Sequence, residues 1–171
     1  MLEQIKEKLP ELAKDARINL GKALDVNQTD GLSVQQIIGS ALAVAYHIGN
    51  PTLTEALETE FEVEQSLCDA AKLAASLMAM TNIYYRFIHY SEQPELSHVP
   101  AGLRMQGMMN PGTDKSTFEA MSLAVSILNG CSACISAHCR NLKEHGFSAQ
   151  ALARIGRIAA VIHSVNVSLG L

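Results

Sequence analysis

Strand signals are almost absent from this sequence, and residues that favour helices fill the stretches between its turns. Alanine, leucine, methionine, glutamine and glutamate dominate those stretches. Glycine, proline and asparagine mark the breaks, which fall at Asn50-Pro51, from Ser91 to Pro100, at Asn110-Pro111-Gly112, at Asn129-Gly130 and at Gly146. The sequence therefore predicts an all-α fold, a single-domain helical bundle over residues 1–171.

The breaks divide the chain into a series of predicted helices. They run over Leu2–Leu24 with a disturbance near Pro10, Val34–Ile48, a segment starting near Thr52, Glu62–His89, Thr117–Leu128, Cys131–His145 and Ala149–Leu169. Ser33 and Ser148 are predicted N-caps, and Gly146 is a predicted left-handed helix stop.

Two pairs of segments indicate an internal duplication of a helical unit. VQQIIGSALAVAYHIGN resembles FEAMSLAVSILNG about 80 residues later, and AASLMAMTNIYYR resembles AAVIHSVNVSLG at a similar offset. If the duplication is real, only the second half carries a cysteine pair.

Charge and hydropathy exclude several classes of function. The net charge is −4 and no basic stripe is present, so we expect no nucleic-acid binding. No apolar run reaches the length of about 20 residues that spans a bilayer. The first 15 residues are charged throughout, unlike a signal peptide, so we expect a cytoplasmic protein. Because only 18% of the residues are charged, we also expect a homo-oligomer that buries apolar surface between subunits.

The most informative motif is a Cys-x-x-Cys pair, Cys131 and Cys134, which directly follows the break at Asn129-Gly130. A cysteine at a helix start is stabilised as a thiolate by free N–H groups and by the helix dipole. Positions i and i+3 in a first helical turn also approach closely enough to form a disulfide. In a reducing compartment such a pair indicates redox or metal chemistry.

Two further residues are candidates for proton transfer to this pair. His138 follows Cys134 by four residues and shares its helix face. Glu119 lies in an otherwise apolar helix that a hairpin at Asn129-Gly130 would fold against the cysteines. A buried carboxylate there would have a raised pKa and could act as a base.

Each candidate also has a structural interpretation. Ser116-x-x-Glu119 fits a capping box, which would make Glu119 a helix cap. The helix start favours Cys131 as the attacking thiolate, whereas contact with His138 favours Cys134, so the order of attack stays open. A zinc site using Cys131, Cys134, His138 and Cys139 is an alternative, but Cys139 points away from the others around the helix. Cys68 is expected to be a buried core thiol.

The pattern Glu119-x11-Cys131-x-x-Cys134-x-x-x-His138 resembles the AhpD alkylhydroperoxidase motif of the carboxymuconolactone decarboxylase superfamily. The segments LPELAKDARINL, GLRMQGMMNPG and SILNGCSACISAH also resemble that family, so the resemblance covers most of the chain. It implies a duplicated all-helical fold that assembles into trimers or larger oligomers. It also implies that Cys131 and Cys134 form the redox pair, His138 the proton relay and Glu119 the base.

The resemblance further implies an antioxidant enzyme that reduces alkyl hydroperoxides or the disulfide of a partner peroxiredoxin, AhpC. No cofactor is expected to be bound, and the implied reductant is the lipoyl group of a dihydrolipoyl acyltransferase. Well-known family members carry histidine inside the cysteine pair, where this chain has Ala133. That departure points to weaker peroxidase activity or a different exchange partner. A decarboxylase-like enzyme and a zinc-binding helical interaction module are the alternative functions.

Overall fold

The chain folds into eight α-helices without any β-strand, and the computed structural model describes all of residues 1–171. The prediction of an all-α fold is confirmed. In chain order the helices are α1 (Leu2–Lys8), α2 (Lys14–Ala23), α3 (Val34–Ile48), α4 (Pro51–Glu60), α5 (Gln65–Tyr90), α6 (Lys115–Asn129), α7 (Ser132–Glu144) and α8 (Ala149–Leu169). Short 3-10 turns occur at Glu11–Ala13, Pro94–His98 and Gln106–Met109.

The predicted helix over Leu2–Leu24 is broken completely rather than only disturbed. Helix α1 ends at Lys8, and α2 begins at Lys14 after a 3-10 turn. Pro10 explains the break, because proline has no N–H to donate and its ring clashes with the preceding helical turn. Here Pro10 adopts an extended conformation and precedes the 3-10 turn.

Polar caps fix several of the helix boundaries. Ser33 forms a full capping box with Gln36 at the start of α3, and Ser148 accepts a hydrogen bond from the Ala151 N–H at the start of α8. Both predicted caps are therefore confirmed. Helix α5 begins three residues later than predicted, because Glu62 has a positive φ of 46° that a helix cannot accommodate.

The order of elements repeats in the two halves of the chain. Helices α3 and α6 each have 15 residues and each end at a left-handed glycine, Gly49 or Gly130. The next residue, Asn50 or Cys131, then caps a shorter helix by accepting an N–H three residues ahead. A long helix, α5 or α8, completes each half. This succession agrees with the duplication expected from sequence.

One continuous apolar core holds the two halves together. Helix α3 packs against α4, α5, α6 and α8, and α6 packs against α5, α7 and α8. The small residues Ala41, Ala43, Ala120 and Ala124 are fully buried on α3 and α6, which allows these two helices to approach closely. None of the eight helices combines the length and the apolar character needed to cross a lipid bilayer.

Candidate active site

The turn between α6 and α7 places Cys131 at the start of a helix. Gly130 ends α6 in the left-handed conformation, with φ of 63°, and the Cys131 N–H donates back to the carbonyl of Ser126. Cys131 is the N-cap of α7, and its Sγ accepts a hydrogen bond from the Cys134 N–H at 3.3 Å. Because this N–H would otherwise lack a helical partner, it is available to stabilise negative charge on sulfur.

The two cysteines of the motif are joined by a disulfide, with their Cα atoms 5.3 Å apart. They differ in access to solvent: Cys131 is completely buried, whereas Cys134 keeps 8% of its surface exposed. The sequence spacing therefore predicted the proximity correctly. It did not predict which sulfur can be reached from outside.

Glu119 and His138 form a buried hydrogen-bonded pair across the α6–α7 hairpin. His138 Nδ1 lies 2.7 Å from Glu119 Oε2, and the two residues are 6% and 5% exposed. The interpretation of Glu119 as a helix cap is wrong. Asp114 is the N-cap of α6 and accepts from the Thr117 N–H, while Glu119 lies more than one turn further along the helix.

The expected rise in the pKa of Glu119 is also wrong. Burial does raise the pKa of this carboxyl group, but hydrogen bonding to His138, the charge of His138 and a contact with Asn141 lower it further than burial raises it. The net effect is a pKa below the ordinary value of 4.5, so Glu119 is ionised at neutral pH. An ionised carboxylate holds the proton on His138 Nδ1, and Nε2 makes no hydrogen bond within the protein.

A mostly apolar cavity of about 330 Å³ opens beside α7. Cys134 and His138 line it, whereas Cys131 and Glu119 do not. The remaining lining residues come from α5, from the 3-10 turn Gln106–Met109 and the residue before it, and from α7: Met78, Thr81, Tyr85, Met105, Met108, Ala133 and Ala137. The cavity therefore gives a small molecule direct access to one sulfur and one imidazole.

Sequence reasoning missed this cavity because its walls come from three separate segments. Met105 and Met108 lie in the GLRMQGMMNPG stretch, which has no helical periodicity and therefore carried no positional signal. The resemblance of this stretch to a known family was the one clue that it contributes to the site. The sequence placed Met78 and Tyr85 within a long apolar helix but did not indicate that they line a cavity.

A partly buried polar network lies behind the cysteine turn and was also not predicted. Asn129 Nδ2 donates to Asn82 Oδ1 at 3.1 Å, and Asn82 Nδ2 donates to Ser126 Oγ at 3.0 Å. His47 Nε2 lies 2.9 Å from Asn129 Oδ1. Because Asn129 directly precedes Gly130, these bonds tie the turn that carries Cys131 to α3 and α5. His47 thus has a structural role.

The other two cysteines lie outside the site, as expected. Cys68 is a free buried thiol on α5, and burial raises its pKa. Cys139 is also free and only partly buried, and burial raises its pKa as well. No three metal-binding side chains converge anywhere in the chain, so the zinc alternative gains no support from the geometry.

Comparison with known proteins finds similarity over almost the whole chain. Residues 94–169 match the carboxymuconolactone decarboxylase family. The chain is 47% identical over 167 residues to alkyl hydroperoxide reductase AhpD of Coxiella burnetii (strain RSA 493 / Nine Mile phase I), covering 96% of this chain and 94% of that protein. It is 46% identical over 170 residues to the AhpD protein of Bradyrhizobium sp. (strain BTAi1), covering 98% and 92%. Identity to AhpD of Maricaulis maris (strain MCS10) is 39%, covering 98% and 96%.

Proposed function

The chain belongs to the AhpD family of alkyl hydroperoxide reductases, and from that premise we propose that it reduces organic hydroperoxides with the dithiol of Cys131 and Cys134. The observation that carries the proposal is the position of Cys134. It lines the apolar cavity beside His138, and it is already bonded to Cys131. The accessible sulfur therefore has a proton carrier on one side and a second sulfur on the other.

In the proposed reaction the reduced Cys134 attacks the peroxide. His138 Nε2 takes the thiol proton, while ionised Glu119 stabilises the imidazolium through Nδ1. The thiolate forms a bond to the distal peroxide oxygen, the O–O bond breaks, and the leaving alkoxide takes a proton and departs as the alcohol. Cys134 is then a sulfenic acid, and the Cys131 thiol condenses with it to form the disulfide and water.

Burial favours this order of attack over the reverse. Cys131 is completely buried and lies outside the cavity lining, so a peroxide meets Cys134 first. On reduction, an incoming thiolate attacks Cys134 and expels Cys131 as a thiolate. The N–H of Cys134 that points at Cys131 Sγ stabilises this leaving group.

We further propose that the reductant is a dithiol such as the dihydrolipoyl group of an acyltransferase, and that an AhpC-type peroxiredoxin is the partner. The family resemblance of the site motif supports both assignments. A reversible dithiol cycle requires a compartment that keeps thiols reduced, which favours the cytoplasm.

We also propose that the protein is a homotrimer or larger homo-oligomer. Ile83, Phe87 and Tyr90 on α5 are 61%, 54% and 65% exposed. Their spacing of four and three residues places them on one helix face, where they form an apolar stripe. A contiguous exposed stripe of this kind supports an interface between subunits.

The proposed reaction is tested by replacing each cysteine separately with serine. We expect Cys131→Ser and Cys134→Ser to abolish steady-state turnover of cumene hydroperoxide with dithiothreitol as reductant, because each lacks one partner of the disulfide. Cys139→Ser is the matched control, since this free thiol lies on the same helix outside the cavity lining, and it should retain full activity.

The order of attack is read from the trapped intermediate. Peroxide-treated Cys131→Ser should carry a sulfenic acid on Cys134 that dimedone labels, and mass mapping would locate it. Full peroxidase activity in Cys134→Ser, or the absence of a 131–134 disulfide in the oxidised wild type, would refute the proposal.

A further inference from the structure

The cavity beside Cys134 has two walls formed by large side chains. Met78 and Tyr85 on α5 form one wall, and Met105 and Met108 form another. The 3-10 turn that carries Met108 lies tightly on α5, since a Cβ added at Gly107 would come within 3.0 Å of Leu73 Cδ1. These two walls are therefore fixed relative to each other by close packing.

The third wall, on α7, is different because its residues are small. Ala133 and Ala137 line the cavity next to Cys134 and His138, and both are exposed to solvent. They are separated by four residues, so they lie one above the other on the same face of the helix. On this wall, the side chains beside the two buried reactive groups are therefore only methyl groups.

The volume of the cavity far exceeds what the peroxide group alone requires. About 330 Å³ corresponds to roughly ten water molecules at liquid density. Its lining is mostly apolar, with Thr81 among the few polar members, so it favours a hydrocarbon group over water. Because positions 133 and 137 carry no atom beyond Cβ, the side chains of this wall take up little of the space beside Cys134.

We propose that Ala133 and Ala137 determine substrate specificity in this protein, admitting hydroperoxides with bulky branched or aromatic organic groups to Cys134. The inference rests on the proposed function, because it assigns the size of the substrate that the dithiol site accepts. A larger side chain at either position projects into the cavity from its open rim. Such a side chain excludes a wide organic group while still leaving a path for hydrogen peroxide.

The first test compares the activity of Ala133→Leu and Ala137→Leu on two substrates of different size. Leucine suits an exposed helical position almost as well as alanine, so both variants should fold, as circular dichroism would verify. We expect kcat/KM for cumene hydroperoxide to fall by about tenfold or more in each variant, whereas kcat/KM for hydrogen peroxide changes by less than about threefold. Ser136→Leu, an exposed position of α7 outside the cavity lining, is the matched control and should leave both values unchanged.

The second test measures access to Cys134 without any peroxide. The dithiol is reduced, and its alkylation by iodoacetamide and by the bulky N-benzylmaleimide is followed by mass mapping of residue 134. Both leucine variants should slow the maleimide by about tenfold and iodoacetamide by less than about threefold, since only the larger reagent meets the added side chain. Ser136→Leu should slow neither reagent.

The two tests separate failure of this inference from failure of the proposed function. Wild-type protein without peroxidase activity would refute the proposed function, and the alkylation rates would still decide the role of Ala133 and Ala137. Equal slowing of the large and small reagents, or no slowing of either, would overturn the inference. An equal loss of activity on both peroxides would overturn it as well.

Discussion

At the scale of single residues, Glu119 shows how several polar contacts together reverse the effect of burial on the pKa of a carboxyl group. Burial raises the pKa of this group, but the hydrogen bond to His138, the charge of His138 and the contact with Asn141 together bring it below 4.5. Glu119 thus serves as a fixed negative charge that orients His138 in the proposed reaction. The sequence had instead predicted a general base with a raised pKa, which would itself accept a proton.

Glu119→Gln should impair both catalysis and the stability of the fold at neutral pH. We expect a fall in peroxidase kcat of about 10²-fold or more, because glutamine cannot stabilise a charged imidazole. The depressed pKa of Glu119 also stabilises the fold above its unfolded pKa, near 4.5, and this contribution is lost as pH falls through the lower folded value. Urea unfolding measures the free energy of unfolding of both proteins. The difference between wild type and variant should be largest at neutral pH and should shrink below pH 4.5.

Glu144→Gln provides the matched control, since Glu144 is an exposed acid at the end of α7. It should leave kcat and the pH dependence of stability close to wild type. A difference between wild type and Glu119→Gln that grows as pH falls would contradict the assigned pKa direction.

At the scale of helices, the glycine that ends α6 determines where α7 and its first cysteine begin. Gly130 has a positive φ, and the network of Asn82, Ser126 and Asn129 holds the turn from behind. The position of Cys131 as N-cap follows from that turn. The placement of this sulfur therefore depends on residues that lie outside the cavity lining.

Gly130→Ala should lower the free energy of unfolding by about 1 kcal/mol, because an L side chain is strained at positive φ. Chemical denaturation of the reduced protein would measure the change. Gly156→Ala is the comparison, since Gly156 lies inside α8 and an added Cβ would make only an ordinary contact with Ile127. That substitution should stabilise the protein by about 0.5–1 kcal/mol. Equal effects at the two glycines would show that the turn carries no conformational requirement.

The helix boundaries that could be predicted from the sequence are those set by nearby residues. Ser33, Ser148 and Gly130 act within a few residues of the boundaries they set, so sequence inspection located them. The start of α5 was misplaced because the positive φ of Glu62 leaves no mark in residue type. The proximity of Glu119 to His138 could be predicted from the geometry of the hairpin. The direction in which the pKa of Glu119 shifts could not, because it depends on the distance between the carboxylate and the imidazole, which the sequence does not give.

At the scale of the whole molecule, the exposed apolar stripe on α5 is the surface that best fits an interface between subunits. Ile83 and Phe87 lie on it, on the same long helix that supplies Met78 and Tyr85 to the cavity. Assembly through this stripe would therefore support a helix that also forms one wall of the site. The cavity itself was not predictable, because its walls meet only when α5, α7 and an irregular segment pack together.

Phe87→Glu combined with Ile83→Glu should prevent the proposed assembly, because paired carboxylates would have to be buried between subunits. Light scattering coupled to size exclusion should show a mass near that of one chain for this variant and at least three chains for wild type. Leu12→Glu, at an exposed apolar residue away from α5, should retain the wild-type mass. A wild-type monomer, or an unchanged mass in the double variant, would contradict the assignment.

Asn50 occupies in the first half the place that Cys131 occupies in the second, and Leu53 and Leu57 stand where Cys134 and His138 do. Both leucines are completely buried. The first half therefore has packing residues at the positions where the second half carries its candidate reactive groups. In the proposed reaction the chemistry thus lies on α6 and α7, whereas their counterparts α3 and α4 supply packing.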